Sequence, residues 1–321
     1  MGTLTLKKGD KEEFRSWARK YGAIGVFLLL CVINMIFTRN FLKISTVWNV
    51  IMQMAPTMYI AVGMTFVIGT AGIDLSVGSI LAFTSITLAS LLAHGWSLLP
   101  AILVTLVIGA AIGCFNGFMV NKMRIEPIIL TIVMQMVLRG CAIFVSNGKS
   151  IPIASQFLKD IGLYRFPGKV PVQIIFVVLV MVVGYFLAQK MSLGSYVEAI
   201  GVNAKAAKLT GVRFSAVIIL VYMLSGLLAS MAGVLEVARS GAVDPSIIGD
   251  MYEVDAIAAV AIGGTSLNGG KPNIIGTMFG VIIMILIKMM INMNDIPYEL
   301  SNVVKAFIIL FSLYIQRERK S

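Results

Sequence analysis

One carboxylate stands alone in a long stretch of mostly apolar sequence. Between Ile44 and His94, Asp74 is the one residue among Asp, Glu, Lys and Arg. A carboxylate at the centre of a membrane span costs about 2.5–3.5 kcal/mol, so it needs water, a polar partner or the free N–H groups of a helix end. Two compatible interpretations stay open. Asp74 lies with Ser76 at a broken helix beside a polar translocation path, or it caps the span that follows.

A second glycine-rich segment, GGTSLNGGK at 263–271, has a similar pattern. When Ser266 is aligned with Asp74, Asn268 falls on Ser76, and two glycines and one leucine also match. Transporters are often built from internal repeats whose broken helices meet near the centre of the membrane. The match predicts an internal repeat of two five-helix halves, with its polarity left open. The alternative is a chance similarity between two glycine turns.

Uncharged polar residues are scattered through the apolar runs, namely Asn34, Asn49, Gln53, Asn116, Gln135, Ser225 and Thr277. Each alone is typical of hydrogen bonding between membrane helices. Together with Asp74 they indicate a cargo that is polar but not strongly charged, because amides and hydroxyls can replace the water around a polyol. The residues that we expect to line the path are Asp74, Ser76, Gln53, Asn116, Gln135, Ser266 and Asn268.

The segment EAIGVNAKAAKLTG at 198–211 predicts a short helix outside the membrane. Asn203 is a favourable N-cap, good helix formers follow it, and Gly211 is a favourable stop. A helix of about seven residues is marginal by itself, since isolated helices shorter than about 12–15 residues rarely hold in water. Ala204 and Ala207 share one face, which suits a helix that fits a groove on a partner. The alternative is a connector that packs only on its own bundle.

The elements that would position these residues are membrane spans. The chain has 321 residues and is 58% hydrophobic and 13% charged, with a mean hydropathy of +0.93; soluble domains are about 45–50% apolar and about 25% charged. The composition predicts an all-α polytopic membrane protein, and it excludes a disordered chain, a secreted disulfide scaffold and a nucleic-acid-binding protein. About ten apolar runs are long enough to be spans: 22–38, 45–69, 77–94, 97–120, 126–146, 171–189, 214–238, 254–265, 274–293 and 301–316.

The basic residues predict how these spans are oriented. Cytoplasmic loops of membrane proteins carry an excess of Lys and Arg, and most of the 26 lie on the inner side when the N-terminus is cytoplasmic. Both termini are then cytoplasmic. The predicted organisation is a cytoplasmic tail, a first membrane half, a cytoplasmic coupling loop, a second membrane half and a cytoplasmic tail, at 1–20, 21–190, 191–213, 214–316 and 317–321.

Two further patterns predict packing rather than chemistry. Gly109, Gly113 and Gly117 lie four residues apart, which favours close contact between helices of the same chain. Glu236 and Arg239 are spaced for a local ion pair on a helix. The polar stretch at 147–170 predicts an irregular outer loop.

Several kinds of chemistry are not expected. One His and three Cys, without metal-ligand spacing, predict no metal site and no catalytic residue. The chain has no GxxxxGK motif followed by Ser or Thr, so the energy for transport must come from another chain or from an ion gradient. One alternative is therefore an ion-coupled secondary transporter of a polar solute with Asp74 as the proton or sodium site. A membrane-embedded enzyme is not favoured.

Several segments in the same order resemble the permease subunits of bacterial sugar ABC importers of the ribose type. They are AGIDLSVGS at 71–79, EAIGVNAKAAKLTGV at 198–212, SGLLASMAGVLEVAR at 225–239 and DAIAAVAIGGTSLNGGKPNIIGT at 255–277. EPIILTIVMQMVLRG at 126–140 is similar but less closely so. The resemblance covers about residues 45–316. The chain departs from the family pattern at Ala71, where a second glycine is usual, and at Val202, where glycine often precedes the Asn.

The resemblance implies a membrane homodimer in the bacterial inner membrane that forms the pathway for a monosaccharide. It implies a periplasmic sugar-binding protein and a cytoplasmic ATPase subunit as partners, with ATP bound by the ATPase and no cofactor in this chain. The implied substrate is ribose, another pentose, galactose or a related sugar. The residues implied in coupling to the ATPase are Glu198, Gly201, Asn203, Lys205, Ala206, Ala207 and Gly211.

Overall fold

The protein is a bundle of α-helices with one small β-sheet. The structure is a computed structural model, and it describes residues 24–295 together with 297, 300, 303, 306 and 307. The helices are α1 (Ile24–Phe37), α2 (Ile44–Gly69), α3 (Val77–Ala93), α4 (Leu98–Lys122), α5 (Pro127–Val145), α6 (Gln156–Leu163), α7 (Gln173–Gln189), α8 (Ser192–Leu209), α9 (Phe214–Arg239), α10 (Tyr252–Ile262) and α11 (Ile274–Met293). The strands are β1 (Ile151–Pro152) and β2 (Ala242–Val243).

Local sequence accounts for several of these boundaries. Pro127 occupies the first turn of α5, where its missing N–H costs nothing. Asn273 caps α11 by accepting from the N–H of Gly276 at 3.0 Å, and Ser155 caps α6 in the same way. Gly95 follows the end of α3 in the left-handed region, where glycine avoids a steric cost.

Helix α9 lies at the centre of the bundle and contacts α2, α3, α4, α6 and α8. Its contact with α4 depends on small residues, because a Cβ at Gly113 would overlap the carbonyl oxygen of Tyr222 and one at Gly109 would press on Ser230. Gly117 likewise lies against the backbone of Ile219. The prediction that these glycines serve intrachain packing is confirmed.

The helices divide into an inner and an outer layer. Helix α2 is mostly buried, whereas only a small part of α4 and α5 is buried and both expose several large apolar side chains. Exposed apolar faces are unfavourable in water but suit a bilayer, whose hydrocarbon is as apolar as the side chains. The packing therefore agrees with the composition in indicating lipid as the main solvent of this chain.

The predicted count of ten spans is not confirmed. Five helices (α2, α4, α5, α9 and α11) are long and apolar enough to cross a membrane, and the count is six if α7 and α8, bent by 64°, form one span. Helices α1 and α3 are shorter apolar helices, and α10 has 11 residues. The internal repeat of two halves is not confirmed either. The tails at 1–20 and 317–321 and most of the predicted span at 301–316 lie outside the described residues.

The polar stretch at 147–170 is more ordered than the sequence predicts. It contains α6 and β1, and β1 pairs antiparallel with β2 so that Ile151 is opposite Val243. Gly162 of α6 lies directly against the backbone of Ala238, and Gln173 donates to the Gly162 carbonyl. The prediction of an irregular loop was wrong for these segments, because local polarity does not reveal that α6 packs on α9.

Candidate functional site

The carboxylate of Asp74 is fully buried in the turn between α2 and α3. Its Oδ1 accepts hydrogen bonds from the backbone N–H of Ser76 at 3.0 Å and from the Ser76 hydroxyl at 2.6 Å. Its Oδ2 accepts from the hydroxyl of Ser225, on α9, at 3.2 Å. The hydrogen bonds to the Asp74 carboxylate therefore come from neutral donors. Among the described residues, no Lys or Arg forms an ion pair with it.

The hydrogen bonds continue from Ser76 to a third helix. The side-chain amide of Asn116, on α4, donates to the Ser76 hydroxyl at 2.9 Å, and Asn116 is fully buried. Asp74, Ser76, Asn116 and Ser225 thus form one polar cluster that joins the α2–α3 turn to α4 and α9. We refer to these four residues as the Asp74 cluster.

The geometry of the cluster bears on the helix-cap interpretation. Helix α3 begins at Val77, but the N–H that Asp74 accepts from is that of Ser76, one residue earlier. This is a local Asx turn rather than a bond to the first turn of α3. Because Asp74 also binds Ser225 on α9, it fixes the turn to the rest of the bundle as well as ordering it locally.

The second glycine turn, between α10 and α11, touches the first. The backbone N–H of Gly270 donates to the carbonyl of Gly69, the last residue of α2, at 3.0 Å. Ser266 and Asn268 are exposed in this turn, where the Asn268 N–H donates to the Ser266 hydroxyl at 3.2 Å. The two turns therefore meet through their backbones, and Ser266 and Asn268 do not join the Asp74 cluster.

Helix α8 packs on both turns through Gly201. A Cβ at position 201 would overlap the carbonyl oxygen of Gly69 and the backbone nitrogen of Gly270. Only glycine permits this approach of three backbones. Val197, one turn earlier on α8, is fully buried beside Gly69. Sequence reasoning assigned Gly201 to coupling but missed its contact with the two turns.

The segment predicted to couple to an ATPase is part of a kinked helix rather than an isolated short one. Helix α8 begins at Ser192, and its regular geometry breaks at Asn203, which has extended backbone angles. The Oδ1 of Asn203 accepts from the N–H groups of Lys205 and Ala206 at 3.1 and 3.0 Å, so the predicted N-cap is confirmed. Gly211 follows the helix end in the left-handed region.

The two faces of α8 after Asn203 differ from the predicted ones. Ala207 is buried against the core of its own chain at 3% exposure, whereas Leu209 is 89% exposed. Val202, just before the break at Asn203, is 74% exposed. Lys205 and Ala206 are also exposed, and Glu198 is half-buried. The sequence predicted that Ala207 would face a partner, and the structure corrects this because Ala207 packs inward.

The remaining predicted path residues lie away from the Asp74 cluster. Gln135, on α5, donates to the carboxylate of Glu253, on α10, at 3.0 Å. Gln53 is half-buried on α2, and the 16 residues that separate it from Gly69 correspond to about 24 Å of helix. The structure therefore brings Asp74, Ser76 and Asn116 together and leaves Gln53 and Gln135 elsewhere.

Sequence reasoning missed a second buried acid. Glu253 is 6% exposed, and a Cβ at Gly78 of α3 would overlap its carboxylate. Arg139 lies nearby on α5 and donates to the carbonyls of Pro245 and Ile248 at 3.0 and 2.6 Å. The acids around the start of the short run at 254–265 were the signal for this cluster, but the sequence predicted only a span there.

The predicted ion pair on α9 is confirmed. Arg239 donates to Glu236, with a shortest distance of 2.7 Å between nitrogen and oxygen. The hydroxyl of Tyr252, the first residue of α10, donates to the same carboxylate. Glu236 therefore links the C-terminal end of α9 to the first residue of α10. Within the described parts of the chain, no group of three or more His, Cys, Asp or Glu is arranged to hold a metal ion.

Ala71 adopts a conformation that L-residues avoid. It lies in the first glycine turn with a φ of +62°, which costs an L-residue about 1–2 kcal/mol. Glycine is the residue that tolerates this geometry, in agreement with the glycine that the family resemblance leads one to expect. The alanine therefore introduces a small local strain into the turn.

We expect Ala71→Gly to raise the thermal stability of the purified protein slightly. The relief of strain exceeds the added entropy of the unfolded glycine by about 0.5–1 kcal/mol. Ala111→Gly, at an exposed position within α4, provides the matched control, since glycine costs about 1 kcal/mol in a helix. The midpoint should rise for the first variant and fall for the second; a fall for both would contradict the strain at Ala71.

Comparison with known proteins places these features in a family. Residues 46–313 match the model of the branched-chain amino acid transport system/permease component family. The ribose import permease protein of Escherichia coli K12 is 36% identical over 325 residues, which is 100% of both chains. The galactofuranose transporter permease protein of Escherichia coli K12 is 32% identical over 96% of this chain and 92% of that protein.

A further relative, the fructose import permease protein of Bifidobacterium longum, is 35% identical over 83% of this chain and 78% of that protein. No solved structure gives a significant match. The three relatives are named as permeases for three different sugars.

Proposed function

The chain belongs to the branched-chain amino acid transport system/permease component family, and we propose that it is the permease subunit of an ABC importer that forms the path of a monosaccharide across the bacterial inner membrane. Its ribose-, galactofuranose- and fructose-importing relatives support a sugar as the cargo. A ribose-like pentose, galactose or a related sugar remains the proposed substrate class.

One observation supports this function more than any other, namely the position of α8. Its first part, through Gly201, contacts the two glycine turns at Gly69 and Gly270. Its last part exposes Leu209 and Lys205. A force applied by a partner at the exposed end would therefore reach both turns directly. The chain carries no nucleotide-binding motif, so a separate ATPase subunit is the proposed source of that force.

The Asp74 cluster supports the proposed path. Asp74 holds the break between α2 and α3 against α4 and α9 through neutral hydroxyl and amide groups. Broken helices beside buried polar groups are where transporters bind and release cargo. We propose that this turn moves when α8 moves, and that Ser76 and Asn116 face the path in one of the resulting states.

The proposed assembly has two copies of this chain, a cytoplasmic ATPase and a periplasmic sugar-binding protein, with both termini of the permease in the cytoplasm. The alternative of an ion-coupled transporter is not favoured, because the named relatives are permease subunits of sugar import systems. The part of this proposal that concerns the ATPase is tested at α8.

We expect Leu209→Asp to weaken binding of the ATPase subunit about ten- to hundredfold. A fully buried leucine contributes about 1.5–3 kcal/mol at a contact, and Leu209 is the most exposed apolar side chain of α8 in this chain. Binding is measured by titrating the labelled ATPase into detergent-purified permease.

Met123→Asp provides the matched control, because Met123 is 61% exposed in the α4–α5 turn, which the basic residues place on the same side. It should bind the ATPase as the wild type does. Both variants should keep the thermal midpoint of the wild type, since neither side chain is buried. Wild-type affinity in Leu209→Asp would contradict docking at this end of α8.

The substrate is identified most directly through the partner that selects it. The proposed periplasmic binding protein should be titrated by calorimetry with ribose, arabinose, xylose, galactose and fructose. We expect one of these monosaccharides to bind at least about tenfold more tightly than the others, a difference of about 1.4 kcal/mol. If the binding protein bound an amino acid and none of these sugars, the result would contradict the proposed cargo.

A further inference from the structure

A cavity of about 470 Å³ opens between the α2–α3 turn, the α4–α5 turn, α8 and α9, on the side that the basic residues assign to the cytoplasm. The α2–α3 turn contributes Thr70 to Gly72, the α4–α5 turn contributes Arg124 and Glu126, and α8 contributes Lys208. The first residues of α9 and the ring of Tyr222 complete it. Its volume lies in the range of about 300–1,000 Å³ that is usual for small-ligand sites.

One buried donor at the wall of this cavity lacks a hydrogen-bond partner. Tyr222 is 1% exposed, and its hydroxyl has no hydrogen-bond partner among the described residues. That hydroxyl lies beside Gly72, where a Cβ would come within 2.7 Å of it. A buried hydroxyl without a partner costs about 1–3 kcal/mol, so its presence at a cavity wall points to a ligand that accepts a hydrogen bond.

Two helix N-termini meet at the same cavity. Pro127 opens α5 and Phe214 opens α9, both residues line the cavity, and neither helix has a side-chain cap. Pro127 has no N–H, and the N–H of Phe214 donates to the Val212 carbonyl at 2.8 Å. The N–H groups that follow them in the first turn of each helix would therefore supply the partial positive charge that favours anions. They supplement the buried hydroxyl of Tyr222, which is an independent observation at the same place.

Two of the three charged side chains around the cavity are cationic. Arg124 and Lys208 are cationic and Glu126 is anionic, and the described residues show no ion pair among the three. Lys208 lies over the ring of Phe214, 4.2 Å from its centroid, which holds its ammonium group at the cavity wall. The net charge of these three side chains is thus positive.

We propose that this cavity binds a phosphate group, carried either by a soluble cytoplasmic compound or by the headgroup of an anionic lipid. Phosphate oxygens accept the hydrogen bonds that Arg124, Lys208, Tyr222 and the two helix N-termini offer. The ligand would join α8 to the α4–α5 turn and to the α2–α3 turn. The site is defined by binding and does not depend on the proposed transport function.

The test uses the full chain purified in a neutral detergent, with thermal stability as the readout. Inorganic phosphate is titrated at constant ionic strength against sodium chloride in one arm, and phosphatidylglycerol is titrated against phosphatidylcholine in the other. A ligand that binds the folded state raises the midpoint as its concentration exceeds Kd. We expect an upward shift by several degrees in at least one arm.

Variants test whether the ligand that raises the thermal midpoint binds in this cavity. Arg124→Ala and Lys208→Ala should each weaken the apparent affinity about tenfold or more, since hydrogen bonds between charged groups are the strongest of these contacts. Tyr222→Phe should weaken it several-fold while keeping the ring. Lys122→Ala, two residues from Arg124 and outside the cavity lining, should respond as the wild type does.

A response to inorganic phosphate that is lost in Arg124→Ala would establish a site for a soluble phosphate compound. A response to phosphatidylglycerol alone, lost in the same variant, would establish a lipid headgroup site; both support the proposal. The proposal is overturned if neither ligand shifts the midpoint, if a neutral monosaccharide does so instead, or if Arg124→Ala and Lys208→Ala respond as Lys122→Ala does. Because no partner protein takes part, these outcomes are independent of whether the chain imports sugar.

Discussion

We expect Gly201→Ala to reduce sugar uptake by about tenfold or more. The added Cβ would overlap the backbones of Gly69 and Gly270, and overpacking of this kind costs about 1–3 kcal/mol. Because the overlap lies where α8 meets both turns, the cost would separate α8 from the two turns that we propose it moves. Uptake is measured in cells that also produce the ATPase and the binding protein, and it is normalised to the amount of permease in the membrane.

Gly140→Ala is the matched control for this substitution. Gly140 is also a helical glycine, but a Cβ there would meet no atom within 4 Å. It should keep wild-type uptake and a wild-type thermal midpoint, whereas Gly201→Ala should lose several degrees. Wild-type uptake in Gly201→Ala would show that the close contact between α8 and the two turns is not needed for transport.

The second large effect is expected at Asp74. Asp74→Asn keeps the shape of the side chain but replaces the oxygen that accepts from Ser225 with an amide nitrogen. Hydrogen bonds to a charged group contribute about 1.5–3 kcal/mol. If the cluster holds the α2–α3 turn in its working position, normalised uptake should fall about ten- to hundredfold while the amount of protein in the membrane changes little.

Two variants sharpen the interpretation of Asp74. Ser225→Ala removes one of its bonds without changing charge and should give a smaller loss of uptake. Asp160→Asn, at an exposed acid of α6, should have no effect. If uptake and membrane level fall in equal proportion in Asp74→Asn, the carboxylate serves only to hold the fold together, and the proposed role at the path is contradicted.

The positions of most helices could be predicted from the sequence. The bounds of the runs at 77–94 and 171–189 agree with those of α3 and α7 to within two residues. A long apolar run in a bilayer forms a helix because its backbone hydrogen bonds must be satisfied internally. The number of spans was less predictable. The run at 254–265 corresponds to the short helix α10, and composition cannot separate a short buried helix from a complete span.

The partners of Asp74 show which contacts could be predicted from the sequence and which could not. Ser76 is near in the sequence, and a short polar side chain two residues on is a usual partner in a turn. Asn116 was predicted to line the path and Ser225 only to be a polar residue within a span. The contact of either residue with the turn could not be predicted, because it depends on how α4 and α9 pack. Ser266 matched Asp74 by alignment, but it lies exposed in a turn whose own backbone and side chains satisfy it.

Helix α8 was the element most poorly predicted. Its first part is too polar to be a recognisable span, yet Val197 and Ile200 lie in the core. The residues around Asn203 were interpreted correctly because capping is local. The side to which Ala207 points was predicted wrongly, because the rest of the bundle determines which face of a short helix is buried.

The measurement that tests the central claim most directly is sugar uptake by proteoliposomes that contain this chain alone or with both partners. We expect no uptake by the permease alone, with or without an ion gradient. Addition of the ATPase subunit, external binding protein and internal ATP should produce uptake that stops when ATP is replaced by a non-hydrolysable analogue. Concentrative uptake by the permease alone, driven by a proton or sodium gradient, would contradict the account.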